Sequence, residues 1–139
     1  NDTYGHPQGD VLLKILATLL RENVREVDTV WRYGGEEFII MMTETTKELS
    51  ARTAERIRQA VASAIFPGFA DDPDMAVFKT ISLGVATFPE DTNDVQTLVS
   101  LADQALYRAK RDGRNQVVLS EPIAALEDDS APSEIKIAP

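Results

Sequence analysis

Two β-rich runs, Val30–Tyr33 and Glu36–Met42, are separated only by Gly34-Gly35. A two-residue glycine turn between extended runs leaves little choice but a tight antiparallel hairpin, since the turn sets the direction of the second strand and its register. The rest of the chain must be arranged about that hairpin. Before it, Val11–Val24 carries Leu12, Ile15, Leu16 and Leu19 at helical spacing. After it, Thr45–Ile65 carries Ala54, Ile57, Val61 and Ala64 along one face, and Thr45 with Glu48 predicts a capping box at its start. Pro67–Asp74 reads as a loop. Val77–Phe88 reads as a strand with Ile81, Leu83 and Val85 on one face and the small residues Thr80, Ser82, Gly84 and Ala86 on the other, which predicts close approach of another element or a ligand. Val95–Lys110 is a third helix with Leu98, Ala102, Ala105, Leu106 and Ala109 inward; Gly113 stops it and Gln116–Leu119 is a last short strand. Helices returning onto one mostly antiparallel sheet predict an α/β (α+β) sandwich of two layers.

Composition narrows the function. Of 139 residues, 43% are hydrophobic and 27% charged, the balance of a chain that can bury a core. With no cysteine, disulfides, zinc-thiolate sites and a cysteine nucleophile are excluded. The net charge of −9 argues against nucleic-acid binding, so a phosphate ligand would need a few local cations or a metal. The longest apolar runs, such as Phe38–Met42, are too short to span a bilayer, and no basic-then-apolar leader opens the sequence. No direct membrane contact is expected of this segment. Residues 120–139 hold three prolines, five acids and one lysine, and are expected to be an acidic, disordered tail or the start of a linker.

Three polar stretches could carry chemistry. In Arg32-Tyr33-Gly34-Gly35-Glu36-Glu37-Phe38, paired carboxylates beside glycines suit a hard cation such as Mg²⁺ with a ligand close to the backbone, or form a solvated acidic turn. In Asn1-Asp2-Thr3-Tyr4-Gly5-His6-Pro7-Gln8-Gly9-Asp10, Asp10 is either a helix cap or, with Asn1, a set of hydrogen-bonding groups matching a guanine edge. His6 is the single histidine, a residue more often structural than catalytic in such a loop. In Lys110-Arg111-Asp112-Gly113-Arg114-Asn115, Lys110 and Arg114 flank a glycine turn, either as ordinary cations at a helix end or as a grip for a triphosphate.

Together these residues are GGEEF preceded by NDxxGHxxGD and followed by ALYxAKxxGRN. From Asn1 to about Leu119 the chain strongly resembles the GGDEF family of diguanylate cyclases, with three motifs in the family's order. The resemblance implies a palm-like nucleotidyl-cyclase domain over residues 1–119, with a central sheet flanked by helices. It implies Mg²⁺-dependent condensation of two GTP into cyclic di-GMP and two pyrophosphates across a homodimer of domains, with Mn²⁺ as an alternative metal. Glu36 would be metal ligand and proton acceptor, with Glu37 in support on the turn Gly34-Gly35. Asn1, His6 and Asp10 would bind the substrate at its base, and Lys110 and Arg114 its β- and γ-phosphates. A carboxylate at Asp10 favours guanine over adenine, whose N1 is an acceptor.

Arg25-Glu26-Val27-Asp28 fits the family's RxxD inhibitory motif, at which arginine and aspartate bind cyclic di-GMP; Arg56 is a further expected contact. A surface ion pair is the plain alternative. The family's first strand, with another metal carboxylate, would precede Asn1, so these residues alone are expected to lack the centre of the sheet. A sensory segment is also expected there, with a membrane anchor compatible with that part, while GTP as substrate implies a cytoplasmic location. The rival to a cyclase is a non-catalytic GGDEF module that binds GTP or cyclic di-GMP and regulates a partner. No GxxxxGK[ST], HExxH or GxSxG motif points to other chemistry.

Overall fold

The computed structural model describes residues 6–68, 74–121 and 133–138, with the backbone alone for 6–8 and 133. Among them the order is α1 (His6–Glu22), β1 (Thr29–Gly34), β2 (Glu37–Met42), α2 (Lys47–Ser63), β3 (Ser82–Thr87), α3 (Val95–Arg111), β4 (Val117–Leu119) and β5 (Ser133–Ala138). The strands form one sheet in the order β1-β2-β5-β3-β4, antiparallel except for β3 with β4.

The apolar periods read from the sequence bury as expected. Leu16 and Leu20 of α1 and Ala54, Ile57 and Val61 of α2 meet Phe38, Ile40, Leu83 and Val85 in the main core. On the other face Leu98, Leu101 and Ala102 of α3 cover Ala86. Helices on both faces make three layers rather than the two expected, because alternate residues of β3 are buried on each side. The small face of β3 explains the depth of that contact. A Cβ on Gly84 would collide with the backbone of Ala102 and Leu106, so only glycine lets α3 lie this close. Element ends shift by small steps. The first cap of α2 is Thr46, whose side chain accepts from Leu49 N, one residue after the expected Thr45. The run 77–88 narrows to Ser82–Thr87, while Val77 bridges Phe66.

The centre of the sheet departs from expectation. β5 comes from the stretch read as a disordered tail, and it occupies the position expected to be open. It pairs antiparallel with β2, from Phe38↔Ile137 to Met42↔Ser133, and with β3, from Ser82↔Ala138 to Thr87↔Ser133. Ile135 and Ile137 are fully buried in the main core, and pairing on both sides covers two strand edges that would otherwise be open. Ser-Glu-Ile-Lys-Ile-Ala has a period of two, but only two large apolar residues mark it among prolines and acids. Residues 122–132 and 139 of that stretch lie outside the described residues.

Candidate active site

The hairpin turn lies one residue later than the glycine pair suggested. β1 runs through Gly34 and β2 begins at Glu37, so the turn residues are Gly35 and Glu36. The register slips between Arg32 and Gly34, and Gly35 takes φ +50°, a left-handed conformation that suits glycine. Arg32 Nε donates to Gly35 O at 2.8 Å and pins the turn from within. A Cβ built on either glycine would meet none of the described residues within 4 Å beyond its own chain neighbours.

The shift separates the two acids. Glu36 stands exposed at the tip, off the strand ladder. Glu37 begins β2 and lies 3.4 Å from Nζ of Lys136, which also contacts Asp103 at 2.9 Å and sits 4.3 Å over the Tyr33 ring. Burial works against the Lys136 ammonium, but Asp103 and Glu37 outweigh it and raise its pKa. Glu37 is thus engaged by Lys136, and the exposed Glu36 has a hydrogen-bonding partner of its own that lowers its pKa. Lys110 and Lys79 are near enough to act on Glu36 electrostatically. Among the described residues no group of three or more His, Asp or Glu gathers as a metal cage. Glu36 is an exposed carboxylate that could hold a hard cation together with substrate phosphates.

Lys110 lies in the last turn of α3, whose seat on the sheet is set by Gly84. Beyond it Gly113, Arg114 and Asn115 have φ of +123°, +61° and +47°, and Arg114 N donates back to Ala109 O at 2.9 Å. A cleft of about 390 Å³ opens between α1 and β1, lined by Asp10, Lys14, Trp31 and Arg32 among others. Asp10 is exposed within α1 and does not cap it, because the helix begins at His6. Asn1 lies outside the described residues, as does the side chain of His6.

A second cluster forms where α1 gives way to β1. Arg25 donates to both carboxylate oxygens of Asp28, from Nε at 3.1 Å and Nη2 at 2.8 Å, while its backbone N donates at 2.8 Å. The Asp28 side chain is fully buried, and its hydrogen bonds hold the Arg25 pKa above its ordinary value despite the cost of burial. Arg25 also donates to Thr43 O, and Arg56 reaches from α2 to Asn23 O. Arg25 and Asp28 thus pair directly, and Arg56 reaches the backbone two residues before Arg25.

Residues 1–116 match the family model described as "Diguanylate cyclase, GGDEF domain". The chain belongs to the GGDEF family. Among curated GGDEF relatives, diguanylate cyclase A of Treponema denticola is 41% identical over 123 residues, covering 87% of this chain and 32% of that protein. Diguanylate cyclase DosC of Escherichia coli (strain K12) is 44% identical over 119 residues, covering 86% of this chain and 25% of that protein. The chain therefore spans a third or less of the length of these two relatives. Among solved structures, the active GGEEF domain of a Vibrio cholerae diguanylate cyclase superposes with a TM-score of 0.75 at 35% identity, covering 87% of this chain and 74% of that one. The GGDEF domain of DgcB from Caulobacter crescentus, in complex with c-di-GMP, gives 0.74 at 31% identity, covering 86% and 68%.

Within the GGDEF domain, Arg32, Lys79 and Lys136 were not singled out in the sequence. Arg32 was legible as a cation three residues before the turn's second glycine. Lys79 stood as the lone cation in the run 77–88. Lys136 gave no usable signal, since its role depends on β5 entering the sheet next to β2.

Proposed function

We propose that this GGDEF domain acts in a diguanylate cyclase that condenses two GTP into cyclic di-GMP and two pyrophosphates. The observation that carries the reading is an exposed carboxylate on the glycine turn beside two lysines. Glu36 is exposed on that turn with Lys110 and Lys79 in electrostatic reach. Phosphoryl transfer depends on positioning and charge neutralisation, which such a set supplies. Glu36 would bind Mg²⁺ and hold the proton leaving the 3′-hydroxyl; Mn²⁺ has the same preference for oxygen ligands. The metal would neutralise charge on the phosphates. Lys110 and Arg114 would hold the β- and γ-phosphates, with Asp10, Asn1 and His6 at the guanine end.

Each 3′-hydroxyl would attack the α-phosphate of the GTP held by a second copy, so the working unit is a homodimer. The cluster of Arg25, Asp28 and Arg56 would bind cyclic di-GMP and restrain turnover. The relative crystallised with c-di-GMP supports that ligand class. GTP as substrate places the domain on the cytoplasmic side, and no helix among the described residues is long and apolar enough to cross a membrane. Residues 1–119 would form the catalytic domain together with the central strand β5.

Incubation with GTP and Mg²⁺, followed by detection of cyclic di-GMP, tests the reading. Glu36→Ala is expected to lower product formation by more than about 100-fold, the scale seen when a group stabilising transition-state charge is removed. Equal rates in the two proteins would overturn the role of Glu36. No product from either, with cyclic di-GMP still bound, would make the domain a regulatory binding module.

A further inference from the structure

The turn after α3 holds two consecutive non-glycine residues, Arg114 and Asn115, in the left-handed region. That conformation crowds Cβ against the following carbonyl, and a long arginine has no short polar group to compensate locally, as asparagine has. Strained backbone of this kind persists only where its surroundings hold it, and it concentrates at functional sites. Gln116 braces the turn from the β4 side, donating to Ala109 O at 3.2 Å and Arg114 O at 3.3 Å. The other brace comes from α2. Arg58 Nη1 donates to Asn115 Oδ1 at 2.9 Å, across 57 residues of sequence.

Arg58 is itself held. Its Nε donates to both oxygens of Glu55 at 3.0 Å, and Nη2 closes a further short contact to Glu55 Oε1. Two faces of the guanidinium fork are thus used at once, one to lock it on α2 and the other to grip Asn115, an arrangement that an ammonium cannot copy. The Arg58 side chain is 21% exposed and has no place among the buried residues of the cores.

We propose that Arg58 is a positioning residue for the triphosphate: through Asn115 it holds the left-handed turn that aims Arg114, next to Lys110, at the β- and γ-phosphates. The inference rests on the cyclase reading above and adds to it a residue on a different helix. It predicts that loss of Arg58 is felt by the phosphates and not by the base.

The test uses the whole chain with Mg²⁺ and 3′-deoxy-GTP, which lacks the attacking hydroxyl, and in parallel 3′-deoxy-GMP, which lacks the β- and γ-phosphates. Calorimetric titration of Arg58→Ala is expected to show about a tenfold loss of affinity for 3′-deoxy-GTP, the size of one charge-assisted hydrogen bond. Binding of 3′-deoxy-GMP should stay within about twofold of the parent. Asn115→Ala should reproduce the loss, and the double variant should add nothing to it, because both changes cut one linkage. Arg58→Lys should behave like Arg58→Ala. Full affinity for 3′-deoxy-GTP in Arg58→Ala would overturn the inference. So would equal loss of both nucleotides, which marks general damage, or full affinity in Arg58→Lys, which marks a bare charge effect. A parent protein that binds neither nucleotide would instead overturn the cyclase reading, and this inference with it.

Discussion

Asp91 and Glu134 are both carboxylates shut away from water beside β3, and they are treated in opposite ways. Asp91, between β3 and α3, accepts from Lys47 Nζ at 2.6 Å and from Thr87 N at 2.8 Å, and Lys47 also donates to Ser120 O at 2.8 Å. One ion pair thus ties α2, the β3–α3 loop and the end of β4. Glu134, in the middle of the sheet opposite Met41 and Ala86, has no hydrogen-bond partner for either oxygen. Burial pushes its carboxyl up from the ordinary 4.5, only partly opposed by Lys136, which makes its own contacts with Asp103 and Glu37. The contrast separates two reasons for a buried charge. Asp91 is inside because its partners need it. Glu134 is inside because Ile135 and Ile137 carry it there on the alternate positions of the strand.

The largest effect expected from this contrast is at the satisfied site. Asp91→Ala leaves Lys47 partly buried without its anion and should destabilise the fold by about 3–5 kcal/mol, read from denaturant unfolding. An unchanged midpoint would mean that the joint is not a stability element. At the unsatisfied site the sign reverses. Glu134→Leu removes a buried group without a partner and should stabilise by about 1–3 kcal/mol at neutral pH.

The pH dependence follows from the same burial. The folded pKa of Glu134 is raised, so its contribution to stability is fully present below the unfolded value near 4.5 and is lost as the pH rises through the folded value. The advantage of Glu134→Leu should therefore shrink as the pH is lowered from 7. An advantage that stayed constant with pH would show that folding does not raise the Glu134 pKa. The smallest effect belongs to a pair that neither burial nor a network supports. Arg52 and Glu48 lie one helical turn apart, 71% and 73% exposed. Arg52→Ala should change stability by no more than about 0.5 kcal/mol, with the difference vanishing in high salt.

Much of this was legible in the chain. The hairpin and the helical stripes depend on local periodicity and turn chemistry, and the small face of Thr80–Ala86 foretold the close seat of α3. The proposed site residues stand in short motifs, since the turn, Lys110 and Arg114 lie within short ordered segments. The departures have their causes in strand pairing and packing. The one-residue shift of the turn follows from the register slip at Arg32 and Gly34, which leaves Glu36 at the tip and Glu37 on the strand. The two-layer expectation failed because β3 is buried on both faces, and a mixed apolar and small pattern does not say which partner covers the small side.

Local sequence thus determined which segments become helices and strands and which acids and cations stand at turns, because propensity and periodicity act over a few residues. Only the tertiary structure decided that Ser133–Ala138 is the central strand, that Lys136 engages Glu37, and that Arg58 braces Asn115. Those outcomes depend on edge pairing and on contacts between residues far apart in the chain, where two isoleucines gain enough burial between β2 and β3 to carry an unpartnered carboxylate inside.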